Sequence, residues 1–180
     1  MVAFGDSLTY AGVYEDKLGQ LLMGAWNIIN KGVSGNHTYE MVSRFQSDVL
    51  DQDISCVIIW GGINDVYGAG GFPAETIEDD LQSMYTDAKN TGLMVVALTI
   101  SPFKGTAAWT STKQGVCDSI NSWIKTTAIN VDYIIDAYSL LEDPSVPDTL
   151  LSSYDYGDHI HLSTVGYRLI GTEIYNTAFL

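Results

Sequence analysis

The sequence predicts an α/β fold: a five-stranded parallel sheet with helices on both faces. Three observations carry this expectation. Apolar runs of strand length alternate with helical patterns along the chain. Two of the runs, Ser55–Trp60 and Leu93–Ile100, are almost continuously apolar, as expected of strands covered on both faces. Glycine-rich turns follow the first three strands, so parallel strands joined by right-handed crossovers would collect them at one edge.

The elements follow in order. Met1–Phe4 is the first strand, and it runs into the turn Gly5-Asp6-Ser7. Tyr14–Met23 carries Leu18, Leu21 and Leu22 at helical spacing, with Gly24 placed to stop the helix. Trp26–Asn30 reads as strand two and leads to Gly32-Val33-Ser34-Gly35-Asn36. Thr38 can cap a helix to about Val49, in which Met41, Val42, Phe45, Val49 and Leu50 make one apolar stripe. After strand three comes a glycine-rich loop to Phe72, then a helix from about Pro73 to Asn90 that stops at Gly92. Strand four ends in Ser101-Pro102. Phe103–Thr112 reads as loop, a further helix runs to about Ile129, and Tyr133–Asp136 is strand five. A Pro-, Ser-, Asp- and Tyr-rich surface loop, 144–157, delivers Asp158-His159-Ile160-His161, and Ser163 caps a closing helix through Tyr175.

The 180 residues show no repeat, composition shift or linker, so residues 1–180 read as one domain large enough to bury a sizeable core. Apolar residues make up 46% of the chain, and no run approaches the roughly 20 residues of a membrane-spanning helix. A net charge of −14 would repel polyanions, which argues against nucleic acid or an anionic membrane as a partner. The acidity itself needs no role beyond solubility or a salty milieu. Cys56 and Cys117 fall in a strand and a helix and are expected to be buried free thiols. No basic segment followed by an apolar one opens the chain, which is consistent with an intracellular protein or with a secreted one whose leader has been removed.

A serine hydroxyl is a weak nucleophile at neutral pH and needs a base to take its proton and an acid group to orient that base. Asp158 and His161, three apart on a turn, can serve Ser7 in both roles. His159 lacks that offset to Asp158 and reads as a flanking residue, and His37 as a polar loop residue. Attack on a carbonyl also needs donors for the oxyanion, each worth about 2.7–4 kcal/mol. Candidates are the Ser7 N–H, the Gly35 N–H and the Asn64 side-chain amide, all placed after successive strands. Asp6, next to the serine, is expected to brace its turn through a hydrogen bond to backbone. A metal centre built on Asp158, His159 and His161 finds no second ligand cluster in the sequence.

Gly5-Asp6-Ser7-Leu8, Gly35 within Gly-Val-Ser-Gly-Asn, Gly62-Ile63-Asn64-Asp65 and Asp158-His159-Ile160-His161 together resemble the four sequence blocks of the GDSL, or SGNH, hydrolases, in order and across nearly the whole chain. The resemblance implies a flavodoxin-like three-layer α/β/α sandwich and a serine esterase with neither metal nor cofactor. It makes Ser7 the nucleophile and a donor, Gly35 and Asn64 the other oxyanion donors, His161 the base and Asp158 its orienter. The G-x-S-x-G elbow of other α/β-hydrolases is absent around Ser7.

The expected reaction is two-step acyl transfer on a small-molecule or carbohydrate ester, with activity rising as His161 loses its proton. Tyr10, Tyr67, Phe103 and Trp109 lie in loops expected to rim the same edge, where aromatic rings can stack on sugars, although such residues also serve as loop anchors. The small residues Gly68-Ala69-Gly70-Gly71 offer little bulk for a deep acyl tunnel, which favours short acyl groups, acetyl in particular. A lysophospholipase or thioesterase acting on longer chains is the enzymatic alternative. A non-catalytic carbohydrate-binding module on the same fold is the alternative of another class, and the presence of all five triad and oxyanion residues argues against it.

Overall fold

The computed structural model describes residues 1–68 and 71–180. At its centre, β1 (Val2–Gly5), β2 (Ile29–Gly32), β3 (Cys56–Trp60), β4 (Met94–Leu98) and β5 (Tyr133–Ile135) form a parallel sheet in the order β2-β1-β3-β4-β5. Every residue of β1 and β3 is buried, which is why their sequences are apolar without alternation. The edge strand β2 is half-buried and tolerates Asn30 and Lys31. Gly5 pairs with Gly32 on one side and Trp60 on the other, so β2, β1 and β3 end level with one another.

The connections contain α1 (Ser7–Tyr10), α2 (Val13–Leu21), α3 (Thr38–Phe45), α4 (Ile63–Tyr67), α5 (Ala74–Asn90), α6 (Ser111–Thr126), α7 (Ala137–Leu141) and α8 (Thr164–Ala178). The chain steps from β1 outward to β2 in one direction and from β3 through β5 in the other. Right-handed crossovers therefore put α2 and α5 on opposite faces. α8 packs along α2, while α3, α5 and α6 form the other layer. The result is the three-layer α/β/α sandwich expected from the sequence. Between α2 and α8 the helices approach so closely that a Cβ on Gly171 would sit 2.4 Å from the Tyr14 carbonyl oxygen. Tyr14 is itself fully buried, edge-on to Trp60 with ring centres 5.8 Å apart.

Several boundaries differ from the sequence reading. Strand two spans Ile29–Gly32 rather than Trp26–Asn30, because pairing of Val2 with Ile29 fixes its register and the Trp26 ring packs edge-on against Phe179 instead. The helix expected from Thr38 to Val49 is α3 followed by a π-helical turn, Gln46–Leu50. His37, not Thr38, caps it, and the His37 N–H donates to the Glu40 carboxylate at 2.9 Å. The first part of the glycine-rich loop after β3 is the helix α4. Ser163 does cap α8, accepting the Gly166 N–H at 3.2 Å. Cys56 and Cys117 are buried free thiols. Among the described residues, no helix is long and apolar enough to cross a membrane.

Beyond β4 the chain continues as a buried segment, Thr99 to Phe103. Its backbone has no strand neighbour at Ile100, and the Asn121 side chain supplies one: Oδ1 accepts the Ile100 N–H at 2.7 Å and Nδ2 donates to the Ile100 carbonyl at 3.0 Å. Asn121→Ala would strip both partners from buried backbone groups, each costing about 1–3 kcal/mol. The expected outcome is a fall in unfolding free energy of roughly 2–4 kcal/mol in urea titration; an unchanged midpoint would contradict this role.

Candidate active site

The site forms where β2, β1 and β3 end. Asp6 caps α1, its Oδ1 accepting the Leu8 N–H at 2.9 Å, as expected of a residue bracing the turn. Ser7 is thereby the first residue of α1, and its own N–H has no acceptor within the helix. After β2, Gly35 takes a φ of +81°, a conformation costly for residues with a Cβ. After β3, Asn64 sits in the first turn of α4 and donates Nδ2 to the Asn36 carbonyl at 3.0 Å, with a second amide N–H remaining.

The partners of Ser7 come from the far end of the chain. Asp158 Oδ1 accepts the N–H groups of Ile160 and His161 at 3.1 and 2.8 Å, which folds the loop into a tight turn. Asp158 Oδ2 lies 2.6 Å from His161 Nδ1, and His161 Nε2 lies 2.9 Å from Ser7 Oγ. With its proton on Nδ1 facing the carboxylate, the imidazole presents a free Nε2 lone pair to the serine. Burial alone would raise the Asp158 carboxyl. The hydrogen bonds from the His161 ring and from the two backbone N–H groups outweigh it and hold the group below the usual carboxylate range. The pair is about half exposed, with side-chain accessibilities of 45% for Asp158 and 41% for His161.

The other two histidines turn elsewhere. His159, at a φ of +65°, places Nδ1 2.7 Å from Asp155. His37 stacks on Tyr39, with ring centres 5.7 Å apart.

A cleft of about 400 Å³ opens beside Ser7 and His161, walled by Tyr10, Val13, Tyr156, Leu162, Thr164 and Tyr167. Of the four aromatic residues expected at the rim, Tyr10 lines this cleft and is 67% exposed. Phe103 does not, because the buried segment held by Asn121 carries its ring into the core. Trp109 is a half-buried anchor, its Nε1 bonded to Gln114 at 3.1 Å and its ring beneath the Lys104 ammonium. Tyr67 is at the end of α4, where Lys113 holds its carbonyl oxygen, and it does not line the cleft. Ala69 and Gly70, central to the small-residue loop of the sequence reading, lie outside the described residues.

Sequence reasoning missed Tyr156, which is 76% exposed at the mouth of the cleft. Its signal was a tyrosine five residues before the candidate base, in a loop read only as surface. It also missed how the strand-end loops are fastened. Thr38 turns its N–H and hydroxyl onto the buried Asp65 carboxylate, at 3.0–3.1 and 2.9 Å, joining the start of α3 to α4. The same hydroxyl lies 2.8 Å from Asp80. Burial raises the Asp65 carboxyl above its usual value, against the lowering effect of the hydrogen bonds from Thr38.

Acids are also buried around α1: Asp6 caps it, and Glu15 shares the Asn30 amide with the Thr9 carbonyl. Burial pushes Asp6 up to about 7, and it pushes Glu15, which accepts from Asn30 at 2.8 Å, up to about 8. A carboxyl raised on folding stabilises the folded state most below its unfolded value, near pH 4. That stabilisation is lost as pH climbs through the folded value. Urea midpoints should therefore fall between pH 4 and pH 8, Asp6 contributing up to roughly 4 kcal/mol of the loss. Asp6→Asn keeps an oxygen to cap α1 and should flatten the profile; an unaltered slope would show that Asp6 does not titrate there.

Comparison with known structures and families places the fold. The chain superposes on an acetyl xylan esterase over 99% of its own length and 98% of that chain, with 24% identity and a TM-score of 0.81. A catalytic mutant of an acetylxylan esterase from Geobacillus stearothermophilus gives 20% identity and a TM-score of 0.82 over 99% and 93% of the two chains. A GDSL-like lipase from Bacteroides thetaiotaomicron gives 21% and 0.78 over 97% and 85%. At these identities the likeness is one of fold. No curated protein sequence matches the chain significantly. The family model for GDSL-like lipases and acylhydrolases, however, matches residues 3–169, and with nearly the whole chain covered this protein belongs to that family of ester hydrolases.

Proposed function

We propose that the protein hydrolyses short-chain acyl esters, acetyl esters of carbohydrates in particular, through an acyl-enzyme on Ser7. The observation that carries this reading is the continuous chain from Ser7 Oγ through His161 to Asp158, at 2.9 and 2.6 Å, on the edge where three strand-end loops converge. His161 Nε2 takes the hydroxyl proton as Ser7 Oγ attacks the ester carbon. Asp158 holds the imidazole in place and stabilises it once charged. The Ser7 and Gly35 N–H groups and the Asn64 amide receive the oxyanion. The tetrahedral intermediate collapses as His161 returns its proton to the departing alcohol. Water, deprotonated by the same nitrogen, then releases the acid and restores the serine.

Support for the substrate class comes from the cleft. It is open and small, and the exposed rings of Tyr10 and Tyr156 stand at its mouth, an arrangement suited to stacking on a sugar ring. Two of the structures it resembles are described as acetylxylan esterases. Val13 and Leu162 give the cleft an apolar wall, which is what a longer acyl chain would use. A lysophospholipase or thioesterase activity is therefore the second reading.

Three measurements test the proposal. Ser7→Ala should abolish hydrolysis of a phenyl acetate, and persistent activity in the pure variant would refute the triad. Across acyl chains of increasing length, kcat/KM should be highest at acetyl; a maximum at long chains would favour the second reading. Asn64→Ala should lower kcat about 100- to 1,000-fold with little change in KM, as loss of one oxyanion donor does elsewhere.

A further inference from the structure

Arg44 is the one basic residue of α3, and its side chain is only 16% exposed. The guanidinium lies 4.1 Å over the Phe4 ring and spends four donors in four directions. Nη2 donates to the Gly5 carbonyl at 2.8 Å, at the end of β1 and two residues before Ser7. Nη1 donates to the Lys31 carbonyl at 2.8 Å, near the end of β2, and to Asp48 at 2.9 Å. Nε donates to Asn36 Oδ1 at 2.7 Å, in the turn that carries Gly35. Asn36 is also held from the opposite side, because its carbonyl accepts from Asn64. One cation thus bonds to the strand that precedes the nucleophile and to the turn that bears Gly35, and through Asn36 it is linked to the third donor.

Stability alone does not require this arrangement. An ion pair with Asp48 would satisfy the charge, and Lys31 already supplies that carboxylate with a second cation at 3.1 Å. The remaining three acceptors all belong to the two strand ends that lead into the site. A planar fork with fixed donor directions sets the separation of those acceptors, which a flexible ammonium cannot do.

We propose that Arg44 is a positioning residue for the oxyanion donors, fixing Gly35 and Asn64 relative to Ser7 through its bonds to Gly5, Lys31 and Asn36. The proposal rests on the reading of Gly35 and Asn64 as donors. Arg44 touches no reacting atom. It acts by keeping three donors aimed at one point, and misalignment there costs transition-state stabilisation without costing ground-state binding.

The test compares Arg44→Lys, Asn36→Ala, their double variant and Asp48→Asn with the parent, below the melting temperature of each. Arg44→Lys and Asn36→Ala should each lower kcat about 10- to 100-fold on an acetyl ester while KM stays within twofold. The double variant should be little worse than the worse single one, because both cut the same path. Asp48→Asn removes the ion pair but leaves the other three acceptors, so it should keep kcat within twofold whatever it does to Tm. A full kcat in folded Arg44→Lys, a loss confined to KM, or multiplying losses in the double variant would each overturn the proposal. Backbone and side-chain amide relaxation supplies a readout that needs no activity. The Gly35 and Asn36 N–H groups and the Asn64 amide should lose order in Arg44→Lys and keep it in Asp48→Asn; amides as rigid as in the parent would overturn the positioning role. Should Ser7→Ala retain hydrolysis, the functional reading fails by that result, and the relaxation data still judge Arg44.

Discussion

The hydrogen bond between Ser7 and His161 joins residues 154 positions apart, and the molecule depends on that 2.9 Å separation. Neither end can set it alone. Ser7 is placed by β1, the strand paired with both β2 and β3, and by the cap that starts α1. His161 is placed by a loop whose exit is fixed by the start of α8, and α8 is located by close contact with α2 at Gly171 and Tyr14. Packing between two helices on one face of the sheet therefore determines a contact at its edge. The half exposure of Asp158 and His161 fits this, since a side-chain contact open to water orients weakly, whereas the backbone N–H groups bonded to Asp158 fix its carboxylate.

With 22 acidic and eight basic side chains, cations are scarce, and six of them act as fasteners. Lys31 and Arg44 meet at Asp48, Lys89 reaches Asp132, Lys125 reaches Asp136, and Lys104 reaches Asp148. Lys113 holds the carbonyls of Tyr67 and Gly68. Acids, by contrast, are buried at Asp6, Glu15 and Asp65, where burial raises each carboxyl above its usual value.

What could be read from sequence was what short range determines. The apolar runs at Cys56–Trp60 and Met94–Leu98 declared themselves because a strand buried on both faces admits little else. The Gly-Asp-Ser turn, Gly35, Asn64 and the Asp158–His161 pair were legible because each is a compact local motif, and the order of the strands could be argued to bring them to one edge. Features set by tertiary partners stayed hidden. Strand two slid to Ile29–Gly32 because β1 dictates its register, and Phe103 went inward because a side chain 18 residues later, Asn121, satisfies the backbone beside it. Thr38 looked like a cap by type, yet Asp65 claimed its hydroxyl. Arg44 carries no signal of its role in the sequence, since none of its acceptors other than Asp48 lies within its own helical turns.

The exposure of the Asp158–His161 pair also bears on turnover. Many hydrolases bury their base and must open a gate before water can enter or product can leave. Here the imidazole borders bulk solvent, and the cleft beside it is open. In the acyl-enzyme route proposed for Ser7, water would reach the acyl group by diffusion, without a gate to open. On the same reading, other small hydroxyl compounds would reach the acyl group as freely as water, so transfer to an added alcohol would compete with hydrolysis.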